Sequence, residues 1–379
     1  MAKIVKYPIG IQTFSKLRQD KCLYVDKTDK VYELADRYDY VFLSRPRRFG
    51  KSLLMSTLES YFNGDKELFK GLAIERLETR WERYPVLRLD FSGNTYSTPE
   101  RLIEHIESYL DEFETKYSIH SEGSIASRLR QIIRDVSLNS GHKVVILIDE
   151  YDKPMLDCLH APDLHDRLKS ELRGFYSAIK ASDQYIRFAM LTGITKFGKI
   201  SVFSGLNNLK DISLLPRYND ICGISETEFH RDFNDSISSF ADAHGIPEDM
   251  AWSSFKTMYD GYLFASRGEG IYNPFSVINA FDDNELNNYW YESGSPSYLI
   301  RLIESHDYPL DRLEGEKRSK MQLSDISETY HDIVPLLYQS GYLTIKGHDE
   351  ITGEYRLGFP NQEVSKSFRD SLADLRKRH

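Results

Sequence analysis

The five residues of VVILI at 144–148 are apolar at every position, and the run ends on Asp149 and Glu150. A strand with one wet face alternates apolar and polar residues, whereas an unbroken apolar run is covered on both faces. Such cover is the signature of a parallel sheet with helices on either side. Four other runs have strand character: YVFL at 40–43, VLRLDF at 86–91, IRFAML at 186–191 and a short ICGI at 221–224. Helical patterns at 52–62 and 99–113 lie between them. The alternation to about residue 225 therefore predicts one α/β domain rather than an all-β protein.

Two polar sequences follow the ends of such strands. After YVFL comes SRPRRFGK and then the helical SLLMSTLESYF, giving strand, loop and helix in the order a phosphate-binding loop requires. Gly50 lets backbone N–H groups approach phosphate oxygens without a Cβ in the way. Lys51 supplies a point charge for the β- and γ-phosphates, and Ser52 a hydroxyl for magnesium. Arg47, Arg48, Phe49 and Leu53 complete the segment that would surround the phosphates. Arg45 stands where such a loop usually begins with glycine, so a basic turn before an ordinary helix is the competing reading. The second sequence is the Asp149-Glu150 pair itself. Asp149 would hold the magnesium and Glu150 would polarise an attacking water, although a strand ending in solvated acids is also common. Thr192 closes the IRFAML strand, where it would face the γ-phosphate or water, or merely cap the strand before Gly193. Arg47 and Arg48 would touch phosphates, reach a neighbouring subunit, or stand in solvent. Lys196 and Lys199 are weaker candidates of the same kind.

Composition narrows the rest. The chain has 379 residues, 40% hydrophobic and 28% charged, without an apolar run long enough to span a bilayer and without a signal-peptide core. Its three cysteines, Cys22, Cys158 and Cys222, are widely spaced and read as reduced packed thiols, so a cytoplasmic, non-membrane protein is expected. A net charge of −9 argues against a general nucleic-acid binder. The terminal LRKRH reads as a solvated tail or a point where a longer chain was cut. His160 and His165 read as surface histidines. Asp26-Lys27-Thr28 reads as a helix start with Asp26 capping.

After residue 224 the pattern changes. Ser225-Glu226-Thr227-Glu228 resembles a capping box and opens a helix that runs to Gly245. A mostly helical stretch continues to about 320, and residues 321–379 then read helix, turn at Gly341, two strands, and a helix from Asn361. The expected organisation is a P-loop domain over 1–225, a helical lid over 226–320 and a winged-helix-like region over 321–379.

These sequences together resemble the bacterial AAA-ATPase-like family. The resemblance is carried by YVDKT (24–28), RPRRFGKSLLMSTL (45–58), LIDEYDKP (147–154), LTGITKFGK (191–199), FSGLNNLKDIS (203–213), ICGISETEF (221–229), GYLTIKG (341–347) and GFPNQEV (358–364). It implies a P-loop ATPase core akin to archaeal and STAND-type ATPases, in which an arginine at the first loop position is usual. It implies Walker roles for Lys51, Ser52, Asp149 and Glu150, and a sensor role for Thr192. Members often continue into a PD-(D/E)XK nuclease-like domain. No strand-borne (D/E)-x-K signature occurs here, so nuclease activity is not expected, and the chain reads as a truncated member or an ATPase fragment.

The function expected is magnesium-dependent ATP binding and slow hydrolysis that drives a conformational switch. One alternative is a module that binds ATP or ADP with little turnover and engages a protein partner or oligomer. The other is DNA binding through the winged-helix-like region, whose hairpin carries Lys346, His348 and Arg356 but also Asp349, Glu350 and Glu354.

Overall fold

The computed structural model describes residues 5–158, 161–196, 208–294, 313–324 and 332–376. It divides into two compact units, one of Thr28–Ser44 with Leu54–Ile212, the other of Met1–Lys27, Arg45–Leu53 and Ser213–His379.

The first unit begins with helix α1 (Thr28–Arg37) and strand β1 (Tyr40–Ser44), and takes in most of helix α2 (Lys51–Phe62). Strand β2 (Val86–Asp90), helices α3 (Pro99–Tyr117) and α4 (Ile125–Ser140), and strand β3 (Val144–Asp149) follow. Helix α5 (Pro162–Ala181), strand β4 (Ile186–Gly193) and the two-residue strand β5 (Lys210–Asp211) complete it. The strands form one parallel sheet in the order β2-β3-β4-β1-β5, consistent with a P-loop NTPase fold.

The apolar run at 144–148 is an interior strand of this sheet, with all six residues of β3 buried. Its alternate residues Ile146 and Ile148 join a core with Leu102, Ile106 and Leu110 of α3, Ile132 and Ile133 of α4, and Leu168 and Leu172 of α5. On α2, Phe62 meets Phe188 of β4 at 5.3 Å between ring centroids. The side chains around the sheet are close-packed, so truncating one such as Ile146 to alanine costs about 2–5 kcal/mol. The register pairs Leu43 with Thr192 and Ile148 with Leu191, while Asp90 faces Asp149. Ser44, Asp149 and Thr192 thus share the carboxyl edge of the sheet.

The ICGI run is not a strand of this sheet. Only Ile224 is extended, in strand β6 (Ile224–Ser225), which pairs antiparallel with strand β7 (Ile271–Tyr272) in a separate ribbon. The fifth sheet position belongs to Lys210–Asp211, too short and polar to show a periodicity.

In the second unit, Ser225 caps helix α6 (Glu226–His244) with the reciprocal capping box that the sequence suggested, and Gly245 ends it in a left-handed conformation. Helices α7 (Glu248–Tyr259) and α8 (Pro274–Asp283) pack on α6 around stacked aromatic rings, among them Phe229 on Tyr272 and Phe255 on Phe281, each pair at 4.3 Å. A short helix α9 (Tyr289–Glu292) follows. The helix–hairpin–helix order expected toward the carboxyl end is present as α10 (Val334–Ser340), β9 (Thr344–His348), β10 (Glu354–Gly358) and α11 (Gln362–Arg376). Strand β8 (Lys317–Ser319), which has no apolar signal, adds to the free side of β10.

Candidate functional site

The loop from Arg45 to Gly50 is built into the second unit. Arg45 is only 1% exposed, and its guanidinium donates to the carbonyls of Ser213 at 2.9 Å and Tyr218 at 2.7 Å. It also lies 4.3 Å over the ring of Phe264. A cation so occupied is an anchor for the loop, which explains how arginine replaces a glycine at this position. Phe49 is buried edge-on against Tyr262 and Phe264, and its carbonyl accepts from Gly223 N at 3.1 Å. Gly223 has φ +93°, and a Cβ there would sit 2.4 Å from Ile271 Cγ2, so only glycine fits.

Arg47 and Arg48, between these anchors, are exposed, and the Arg48 guanidinium lies over the ring of Phe275. Gly50 has φ +96°, a backbone shape that disfavours any side chain. Lys51 is buried, and its ammonium donates to the carbonyls of Arg45 and Pro46, each at 3.1 Å. The loop thus curls around the ammonium of its own lysine. Ser52 and Leu53, in the first turn of α2, are half-buried.

At the carboxyl edge of the first unit's sheet, the structure brings Asp149 and Thr192 together. Thr192 Oγ1 donates to Asp149 Oδ1 at 2.5 Å, and the Glu150 amide donates to the same oxygen at 3.1 Å. Asp149 is fully buried, and its Oδ2 has no hydrogen-bond partner among the described residues. A buried carboxylate oxygen without a donor is costly unless a cation or proton meets it. Magnesium fits that atom, since it is a hard cation held in nucleotide sites by one or two protein oxygens plus phosphates. No cluster of three or more His, Cys, Asp or Glu gathers as a metal cage among the described residues.

Glu150 has φ +49°, an uncommon conformation for a non-glycine residue. The turn it makes lets Tyr151 N reach back to the Thr192 carbonyl at 3.0 Å. Asp152, which no local pattern singles out, is buried and accepts from the amides of Ile194 and Thr195 and from the Thr195 hydroxyl at 2.6–3.0 Å. It clamps the turn after β4 to the turn after β3. A Cβ at Gly193 would stand 2.5 Å from Asp152 Oδ1 and 2.7 Å from the Tyr151 ring, so the glycine after Thr192 permits that clamp.

Lys196 pairs with Asp211 at 2.8 Å and is buried, which makes it part of the sheet edge. His165, expected at the surface, is 8% exposed, because its side of α5 turns inward beside Leu168. Lys199, His160, the first five residues of FSGLNNLKDIS and the last three residues of LRKRH lie outside the described residues. Lys27 of YVDKT forms a buried ion pair with Glu228, the capping-box glutamate of α6, at 2.5 Å.

The model of a family described as "Predicted AAA-ATPase" matches residues 8–203. Over 374 residues the chain is 38% identical to an uncharacterized protein in the vnfD 5' region of Azotobacter chroococcum mcd 1, covering 97% of this chain and 70% of that relative. No helix among the described residues is long and apolar enough to cross a membrane.

Proposed function

The chain belongs to the predicted AAA-ATPase family, and on that premise we propose that it binds ATP with magnesium and hydrolyses it slowly to drive a conformational switch. The observation that carries this reading furthest is the end of β3, where Thr192 and the Glu150 amide aim one oxygen of buried Asp149 and leave the other without a donor. When bound, magnesium and ATP supply a γ-phosphoryl group whose charge is partly neutralised. Lys51, whose ammonium donates to the carbonyls of Arg45 and Pro46, would hold the β- and γ-phosphates. Ser52 would offer its hydroxyl to the metal, and Asp149 its open oxygen. The backbone of Phe49, Gly50 and Leu53 lines the phosphate loop, with Arg47 and Arg48 able to reach phosphate from the exposed side. Glu150 would orient a water and accept its proton as the water oxygen bonds to the γ-phosphorus and the bridging β–γ P–O bond breaks, releasing ADP and phosphate. Thr192 acts first on Asp149, and through it on the metal. An open parallel sheet binds ligands outside its carboxyl ends at the point where its connections reverse, which here is beside β1.

Phosphate release, compared between the wild type, Lys51→Ala and Glu150→Gln, tests this. We expect magnesium-dependent release in the wild type and a loss of at least about a hundred-fold in either variant. Equal release from all of them places hydrolysis elsewhere. Release near zero in the wild type, with tightly held ADP, selects instead the nucleotide-gated module.

A further inference from the structure

The indole Nε1 of Trp290, on α9, donates to the carbonyl of Arg47 at 3.0 Å. In a trans peptide the C=O and the following N–H point in opposite directions. Capturing the Arg47 oxygen therefore fixes where the Arg48 amide points. Arg48 has φ +65°, a strained choice for a long side chain, and its guanidinium lies 4.8 Å over the ring of Phe275 on α8. Two aromatic anchors bracket one peptide unit of the loop.

A single carboxylate holds both anchors. Glu363, in the first turn of α11 and fully buried, accepts from the Trp290 backbone amide at 2.7 Å and from the hydroxyl of Ser276, next to Phe275, at 2.9 Å. Gly341, which ends α10 with φ +94°, closes the same corner. A Cβ there would stand 2.7 Å from Pro46 Cβ and 3.2 Å from the Trp290 ring. Tyr342 continues the contact, with its ring 5.3 Å from Trp290 and 5.6 Å from Phe368 of α11.

We propose that Trp290 is a positioning residue for the phosphate loop, setting the direction of the Arg48 amide and, through Glu363, tying nucleotide affinity to the seating of α11. This rests on the nucleotide reading above and adds a route of control to it. Displacing α11 withdraws Glu363 and loosens both anchors, so it weakens nucleotide binding. By reciprocity, bound nucleotide tightens the seating of α11.

Trp290→Phe keeps an aromatic ring while removing the N–H donor and the part of the indole that carries it. Titration with the fluorescent derivative mant-ATP should show affinity about five-fold lower than the wild type. The chain has three tryptophans, Trp81, Trp252 and Trp290. The 15N-indole signal of Trp290, assigned by elimination with Trp81→Phe and Trp252→Phe, should shift when ATP is added to the wild type, as purely structural packing would not require. Equal mant-ATP affinity in folded Trp290→Phe overturns the proposal. If that variant does not fold, a Trp290 indole signal unmoved by ATP overturns it instead. Failure of the underlying reading looks different: the wild type itself binds no mant-ATP and Lys51→Ala changes nothing, and the role of Trp290 falls with it.

Discussion

Arg45 shows how far a residue's type can mislead about its task. A cation in a phosphate loop suggests a phosphate contact, yet its guanidinium is spent on two backbone carbonyls and an aromatic face. Arg45→Met keeps the apolar stem but leaves the carbonyls of Ser213 and Tyr218 without that donor. We expect a loss of about 3 kcal/mol in urea unfolding. Thr192 makes the opposite point, because its position was legible and its partner was not. Thr192→Val preserves shape and removes the donor to Asp149 Oδ1. On the nucleotide reading, the magnesium concentration for half-maximal mant-ATP binding rises about ten-fold, while binding without metal stays near the wild type. An unchanged magnesium requirement removes Thr192 from that role.

Among the elements, those with strong periodicity or caps were readable and those defined by pairing alone were not. β3 announced itself by five apolar residues in a row before Asp149, and α6 by the spacing of Ser225 and Glu228. β5 and β8 have two and three residues, and neither carries an apolar pattern, so their strand character comes from the partner they meet. The start of α6 has a further support that local sequence does not reveal. Glu228 closes the capping box and also receives Lys27, which lies 201 positions earlier. Ser225→Ala removes only the cap and should cost about 1 kcal/mol. Glu228→Ala removes the cap partner and leaves the Lys27 ammonium buried without this carboxylate. It should cost clearly more, about 3 kcal/mol. Thermal unfolding of the two variants checks the order, and equal losses would mean that the ion pair adds nothing.

For the molecule as a whole, Glu363 links stability to pH. Burial raises its carboxyl from the ordinary 4.5 to about 7, against the opposing hydrogen bonds from Ser276 and the amides of Trp290 and Tyr291, while nearby Glu292 raises it further. The folded state thus holds this proton more tightly than the unfolded chain. Its contribution is fully present below about pH 4.5 and is lost as pH rises through 7, an effect of about 3 kcal/mol. Glu363→Gln should lack this dependence, so its stability relative to the wild type climbs between pH 5 and pH 8. A constant difference across that range would show that the carboxyl does not titrate there. Taken alone, the sequence determined the parallel sheet, the order of loop and acid pair, the capped helix and the closing helix–hairpin–helix, because each depends on residues close together in the chain. Tertiary structure alone decided that Arg45 is an anchor, that Thr192 serves Asp149, and that Trp290 and Glu363 hold the loop. Those are contacts between residues 43 to 243 positions apart, and no local pattern encodes which distant group will satisfy a buried donor or acceptor.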